Sequence, residues 1–419
     1  MPPRRAFCLL ASAVILLSGC SKPRVDSVEF PDDASRAVLG TIQTGDSLRV
    51  SVYVDGTVSM AGFLSGGTSH YVDFLDDLES TVQNSIRRAE VRYFKFGRTV
   101  RELDRGGFRG AREPAFYAER GISEVTQIDS VIQCPAGAHV AVVVTDLFQD
   151  EGDVQAVVGR IKDRCFGRGA AVGVLAVPSQ FDGMVYDARV PAYRYASSAE
   201  RASYRPFYAL LFGAPEHVER LHQALRAQPY VEQGHFTLVS PYVVREFDVQ
   251  LAKSKDSRHL NRRDEKRPRH FRFDVRKGGD GGTLTADVTV RLKPSAPDYR
   301  PERVELVAFR REGAADSART EDVTLRSVRR SGEVLNATLE LRAPDQPGSY
   351  AYRVSLVTGP LDGFASPAWV RTLSSPNPTA TDGPNKTLNL ERFVSDLRRA
   401  ASSVHAPELA RWYMDVRKL

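Results

Sequence analysis

The sequence predicts an α/β unit on a doubly wound, mainly parallel sheet, followed by an all-β sandwich and a short helical tail. Three observations carry that expectation. Between residues 45 and 240, β-branched runs alternate with stretches of helical apolar spacing, the pattern of a parallel sheet covered on both faces. From about 270 to 375 the pattern changes to period-two strands separated by turn residues. After a Pro/Thr/Asn-rich linker at 374–385, apolar residues return at helical spacing.

The elements follow in order. Leu48 to Val54 (LRVSVYV) reads as a buried strand. Val72, Leu75, Leu78, Val82 and Ile86 give 70–88 one apolar helical face. Val91 to Phe96 is strand-like, and a Gly/Arg-rich loop leads to a helix near 124–133. Val140 to Thr145 (VAVVVT) is the clearest central strand, followed by a helix at 153–165 and a strand from Ala171 to Val177. After a long loop come a strand from Phe207 to Phe212, a helix at 215–225 and a strand from Phe236 to Val239. The aromatic and acidic residues of that loop, Ser179 to Asp187, together with Arg205 to Tyr208, either shape a partner site or pack on themselves.

The strands at 283–292, 304–309, 337–341 and 350–357 suggest an immunoglobulin-like sandwich over 271–376. In the tail, 377–419, Leu390, Phe393, Val394 and Leu397 share a helical face, and Trp412 and Tyr413 need burial on this chain or on a partner. The expected division is thus 1–19, 20–44, 45–250, 251–270, 271–376 and 377–419.

A chain of 419 residues holds two or three domains. With 26% charged and 42% hydrophobic residues it is of ordinary globular composition, which excludes the disordered and fibrous classes. The net charge of +6 is modest and gathers between Lys253 and Lys277, so no nucleic-acid partner is expected. That basic stretch reads as a solvated linker or as a contact for anionic lipid headgroups.

The first residues have the order of an export leader: Arg4 and Arg5, an apolar run from Ala6 to Leu17, then Leu17-Ser18-Gly19-Cys20. The run is shorter than the roughly 20 residues that span a bilayer. Leu17 to Cys20 resembles the bacterial lipobox. That resemblance implies removal of residues 1–19 as a signal peptide and lipidation of Cys20, with 20–44 as a tether. Arg4 to Phe7 also resembles a twin-arginine export motif. The expected location is a bacterial cell envelope, at the outer membrane or at the inner membrane facing the periplasm. Two other cysteines remain, Cys134 and Cys165. Cys134 precedes strand 140–145, and helix 153–165 returns Cys165 to the same end of the sheet. In an oxidising compartment the two are expected to pair; the alternative is two free buried thiols.

The residues that carry chemistry lie where two strands end. Strand 48–54 runs into Asp55-Gly56-Thr57-Val58-Ser59, and strand 140–145 into Asp146. In a parallel sheet both acids lie at the carboxyl edge, where ligands bind. Carboxylates and hydroxyls together form a hard-oxygen set suited to Mg²⁺.

Asp55-x-Thr57-x-Ser59 followed by Asp146 resembles the metal-ion-dependent adhesion site of the von Willebrand factor A family, whose Rossmann-like fold is doubly wound. Thr57 stands where that family commonly has Ser. Thr126, ahead of a helix, is the best match for the family's intervening Thr. The resemblance covers about 45–240. It implies that Asp55, Thr57, Ser59, Thr126 and Asp146 hold Mg²⁺ or another divalent cation, partly through water. It also implies that an acidic side chain of an envelope protein partner completes the coordination, and that the chain is not an enzyme. One alternative is a structural envelope scaffold with a vestigial metal site. Another rests on Val54-Asp55-Gly56-Thr57-Val58, which resembles the first motif of haloacid-dehalogenase-like phosphatases. Tyr53 stands where that family has its nucleophilic Asp. The sequence contains no P-loop, G-x-S-x-G or HExxH motif.

Overall fold

The computed structural model describes residues 47–86, 88–147, 151–186, 192–242, 244–252, 259–263, 269–275, 283–294, 303–312, 316–342, 344–358, 366–404 and 408–418. The leader at 1–19, Cys20, the tether to 44, and 253–258 and 264–268 of the basic stretch lie outside the described residues.

The first sheet gathers β1 (Ser47–Asp55), β2 (Arg88–Phe96), β3 (Val100–Leu103), β4 (His139–Thr145) and β5 (Ala171–Ser179). A separate hairpin, β6 (Asp182–Val185) and β7 (Tyr193–Ala196), precedes the last two strands, β8 (Arg205–Gly213) and β9 (Phe236–Val239). The order is β3-β2-β1-β4-β8-β5-β9. Successive side chains of a strand point to opposite faces. Val50, Val52, Val54, Val142, Val144, Leu175 and Leu211 therefore enter one core, and Tyr53, Val143, Val174, Tyr208 and Leu210 enter the other.

Helices cover both faces. α1 (His70–Ser85) lays Tyr71, Phe74, Leu75 and Leu78 on the first core. Its start is set by Ser69, whose hydroxyl accepts a hydrogen bond from the Val72 amide at 3.2 Å. Two short helices follow, α2 (Arg105–Arg109) and the single turn α3 (Ile128–Val131). α4 (Glu151–Arg164) lays Val154, Val157 and Ile161 on the second core, and α5 (Pro215–Leu225) adds Val218, Leu221 and Leu225 to the first.

The expected mainly parallel, doubly wound sheet of the von Willebrand A type is not what forms. Only the pairs β1–β2 and β1–β4 are parallel; β2–β3, β4–β8, β8–β5 and β5–β9 are antiparallel. β8 enters between β4 and β5 and opposes both. The reason lies in the connection. α4 carries the chain from β4 to β5 as a crossover, so those two strands run the same way. Between β5 and β8 lie the β6–β7 hairpin and irregular chain, without a covering helix among the described residues. Direction is invisible in β8 itself, whose nine residues are all buried and thus as apolar in reading as any parallel strand.

The second unit is all-β. Its strands are β10 (Val244–Leu251), β11 (His259–Arg263), β12 (His270–Val275), β13 (Thr283–Pro294), β14 (Val304–Glu312), β15 (Asp316–Thr320), β16 (Val323–Ser331), β17 (Val334–Arg342) and β18 (Gly348–Thr358). The chain then forms α6 (Ala368–Leu373), the paired dipeptides β19 (Ser374–Ser375) and β20 (Thr387–Leu388), α7 (Leu390–Val404) and β21 (Glu408–Lys418). A four-stranded sheet, β10-β13-β17-β16, and a six-stranded sheet, β11-β12-β21-β18-β14-β15, share one core of Val288, Val290, Leu339, Val354, Leu356, Trp412 and Met414.

This corrects the expected immunoglobulin-like sandwich with a short helical tail. The two sheets are not complete within 271–376: β10 precedes that range and β21 follows it. Residues 408–418 form a strand, antiparallel to β18 and parallel to β12. Trp412, Met414 and Val416 alternate into the core with a period of two, which a helix could not provide. α7 belongs to the other unit: Leu390, Phe393, Val394, Leu397 and Ala401 join the second core of the first sheet, beside Trp369 and Val370 of α6. The last fifty residues thus close both units.

Cys134 and Cys165 are disulfide-bonded, with Cα atoms 5.1 Å apart. They join the segment before β4 to the residue after α4, at the amino end of β4.

Candidate metal centre

β1 ends at Asp55, whose side chain is fully buried, and β4 ends just before Asp146, which is 5% exposed. The two strands are parallel neighbours with Val54 opposite Val144. Both acids therefore reach the same sheet edge.

Gly56 lets the chain turn there. Its amide donates to the Phe96 carbonyl at 2.8 Å, and a Cβ on residue 56 would lie 2.3 Å from Cε of Lys95. No larger residue fits without moving that buried side chain. Thr57 folds back on the acid: its amide and its hydroxyl both donate to Asp55 Oδ1, at 3.0 and 2.7 Å. This local bond competes with a continuing strand and holds the turn.

The remaining oxygens collect on Thr57. Ser59 Oγ lies 3.2 Å and Thr126 Oγ1 lies 2.9 Å from Thr57 Oγ1. The Thr57 proton is already given to Asp55, so the Ser59 and Thr126 hydroxyls are the donors in those two contacts. Thr126 comes from a segment 69 residues away in sequence. On the other side of Asp55, the Thr145 hydroxyl donates to Oδ2 at 2.8 Å. The candidate ligands Asp55, Thr57, Ser59 and Thr126 are thus joined by direct hydrogen bonds, and the negative charge of Asp146 acts on Asp55.

That electrostatic setting is unfavourable for two carboxylates. Burial pushes the Asp55 carboxyl up to about 7, and the Asp146 charge adds to the rise against the bonds from Thr57 and Thr145. Beneath the site, Tyr71 and Tyr117 share a buried hydroxyl contact of 2.9 Å, and both acid charges act on Tyr71. Burial first, and those charges further, hold the Tyr71 hydroxyl well above its ordinary range. Directly after Asp146, Leu147 takes a left-handed φ of 53° while buried in the second core. A branched side chain is rarely held so, and such strain concentrates where a site imposes it.

The donor set fits a small, hard divalent cation. Two carboxylates and three hydroxyls converge, all oxygen, and repulsion between the acids would become attraction across a cation. Among the described residues no three His, Cys, Asp or Glu side chains gather around one point, and this set draws most of its oxygens from hydroxyls. Three contributors escaped the sequence reading. Thr145 binds Asp55 directly, and the adjacent Asp146 is the signal that could have pointed to it. Lys95 and Ser123, which brace the site from behind, carry no motif at all.

The phosphatase motif finds no nucleophile at position 53. Tyr53 is buried, with its ring stacked on Phe94 at 4.6 Å. Of the loop from Ser179 to Tyr186, Phe181 packs on the chain itself, meeting Phe63 edge-on at 4.9 Å with the Arg205 guanidinium over its ring, whereas Met184 and Tyr186 are exposed. Asp187 lies outside the described residues.

No protein-family model matches the chain. No curated protein matches it either. Among solved structures, a family 123 glycoside hydrolase from Clostridium perfringens, an enzyme of glycolipid glycan hydrolysis, aligns with a TM-score of 0.20 and 8% identity. The alignment covers 42% of this chain and 27% of that one, so about a quarter of the enzyme's length is spanned. No helix among the described residues is long and apolar enough to cross a membrane.

Proposed function

We propose that this protein is a lipid-anchored envelope protein that binds a protein partner through a divalent cation. Asp55, Thr57, Ser59, Thr126 and Asp146 would hold the cation, Mg²⁺ or a similar ion, partly through water. An acidic side chain of the partner would complete its shell. The supporting observation is the meeting of two buried like charges with three hydroxyls drawn from two distant segments. Chance turns supply capping oxygens, but they do not draw a hydroxyl from a segment 69 residues away onto the turn of a buried carboxylate that also feels the charge of a second acid.

The anchor rests on Leu17 to Cys20, and the envelope location on the anchor together with the Cys134–Cys165 bond, which suits an oxidising compartment. The reading needs no inheritance of a whole fold, because a cation site is made by its local oxygens.

The test is calorimetric titration of the chelated, metal-free protein with Mg²⁺ and with Mn²⁺. Wild type should bind one cation. Asp55→Ala and Asp146→Ala should bind none, and capture of envelope proteins by wild type should be lost in EDTA. Equal capture by wild type and Asp55→Ala, with and without EDTA, would sink the reading. It would favour instead a scaffold whose contacts come from the β unit.

A further inference from the structure

We propose that Lys95 and Glu119 form a positioning relay that sets the hydroxyl donors of the cation site; this inference rests on the reading above. Lys95 is a fully buried lysine on β2, beside β1. Such a charge is costly unless paired. Its ammonium does not turn to the two acids of the site. It donates to the Phe116 carbonyl and, at 2.8 Å, to Glu119 Oε2. Arg101, from β3, closes on the same carboxylate, with Nη2 2.9 Å from Oε2. Glu119 is thereby held from two strands at once, and its carboxyl lies below its ordinary range, chiefly because Lys95 donates to it.

Glu119 opens the segment that carries Thr126, and the order passes on through its backbone. The Glu119 amide donates to Ser123 Oγ at 3.1 Å, and the Ser123 amide donates back to the Glu119 carbonyl at 3.0 Å. The Ser123 carbonyl then accepts from the Val58 amide at 3.3 Å. Val58 is the residue between the two hydroxyl donors Thr57 and Ser59. On either side, the Arg98 amide donates to the Ile122 carbonyl at 2.9 Å, and the Gln127 amide donates to Gly97 at 3.3 Å. These bonds lock 119–127 against the end of β2. The stem of Lys95 also lies against Gly56, where it fixes the turn from Asp55 to Thr57. One buried lysine therefore touches the acid-bearing turn with its carbons and the Thr126 segment with its nitrogen. A cation needs both segments at fixed separation, since Mg²⁺ tolerates little departure from its preferred geometry.

The experiment uses the full-length protein, with Mn²⁺ and Mg²⁺ as probes, in calorimetry. Glu119→Ala, a half-exposed position, is the main variant; Lys95→Met is the second, in case its core fails to fold. Glu119→Ala should weaken Mn²⁺ binding at least tenfold. Because it strips the buried Lys95 ammonium of its carboxylate, it should also lower the unfolding midpoint, so affinity is read well below that midpoint. Lys95→Met, which removes the buried charge itself, should show the same loss of affinity. Thr126→Ala should weaken Mn²⁺ binding similarly, and the double variant Glu119→Ala/Thr126→Ala should lose less than the two single losses combined, because the relay acts in part through that donor. Glu119→Gln, which keeps an acceptor for Lys95, should restore part of the loss. In the metal-free protein the Val58 amide should exchange its hydrogen at least tenfold faster in Glu119→Ala. Unchanged Mn²⁺ affinity in a folded Glu119→Ala, or losses that add in the double variant, would overturn the relay and leave the cation site standing. Wild type that takes up neither cation would overturn the cation reading, and the relay with it.

Discussion

At the scale of single residues, Asp55 sets stability against function. Its carboxyl titrates near 7 in the folded, metal-free protein, against an ordinary value of 3.8. The folded state therefore holds a proton that the unfolded chain releases between those values, and stability falls as pH rises through that window. Asp55→Asn should raise the unfolding midpoint of the metal-free protein at pH 8 by several degrees while abolishing cation uptake. A midpoint unchanged or lowered at pH 8 would contradict the burial argument. His222 has the opposite sign. It stacks on Phe236 at 3.6 Å, and burial pushes it down to about 4. Its contribution is complete above the unfolded value near 6.5 and is lost as pH falls toward 4. The two slopes oppose each other, so each is read from its own variant. In Asp55→Asn the stability loss on acidification should be steeper than in wild type, and in His222→Gln it should be shallower. Gly56→Ala should cost about 1–3 kcal/mol, the usual range for forcing extra volume into a packed place, because the buried Lys95 stem must move.

At the scale of elements, β21 and α7 matter more than their position at the end of the chain suggests. β21 is central in the six-stranded sheet and supplies the fully buried Trp412. Trp412→Ala should therefore destabilise by about 3–5 kcal/mol, as for other large aromatic cavities. In denaturant melts this would appear as a lower midpoint with the first unit's transition preserved. The disulfide belongs to this scale too. It links residues 31 apart at the end of the sheet opposite the acids. Replacing both cysteines by serine should lower stability by about 2–4 kcal/mol and leave cation affinity unchanged. A large change in that affinity would mean that the two ends of β4 are mechanically coupled.

At the scale of the whole molecule, the segment from 366 to 418 ties the two units into one chain path. α6 and α7 pack on the first sheet, and β21 then enters the second unit. Arg205, buried at 1% exposure, holds the intervening stretch through the Pro384 carbonyl at 2.8 Å, and Tyr208 meets Thr387 at 2.7 Å. Both residues belong to β8, the strand that opposes β4 beside Asp146. Removing 390–419 should thus unfold part of both units rather than trim a tail. Far-ultraviolet circular dichroism and proteolysis of the shortened chain would measure it, and an intact first unit would contradict the packing argument. Cation binding should act on the whole molecule as well: a ligand at a hundred times its dissociation constant stabilises the folded state by about 2.7 kcal/mol. A midpoint raised by Mg²⁺ and returned by EDTA is the expected result.

Much of this was legible in the order of residues. The strands at 47–55, 139–145 and 171–179 and the helices at 70–85 and 215–225 follow from local periodicity, because burial on one or both faces leaves a direct mark on hydrophobic spacing. Asp55, Thr57, Ser59, Thr126 and Asp146 were legible as candidates through the spacing Asp55-x-Thr57-x-Ser59 and the second acid at the end of a neighbouring strand, although such residues also serve as turn and cap formers. The direction of β8 was not legible, because a strand buried on both faces reads the same either way. The role of 408–418 was hidden as well, since a strand's partners lie on segments far away in sequence. Lys95 shows the same limit at the smallest scale. A lysine in a strand reads as an exposed charge, and only the packing of Glu119 and Phe116 around it makes it a buried brace. Periodicity and side-chain type carry the local elements and the chemical kinds of the site. Tertiary structure alone decided which strands oppose, which core the last residues join, and what holds Thr126 against Thr57, because those depend on contacts between residues that the chain places far apart.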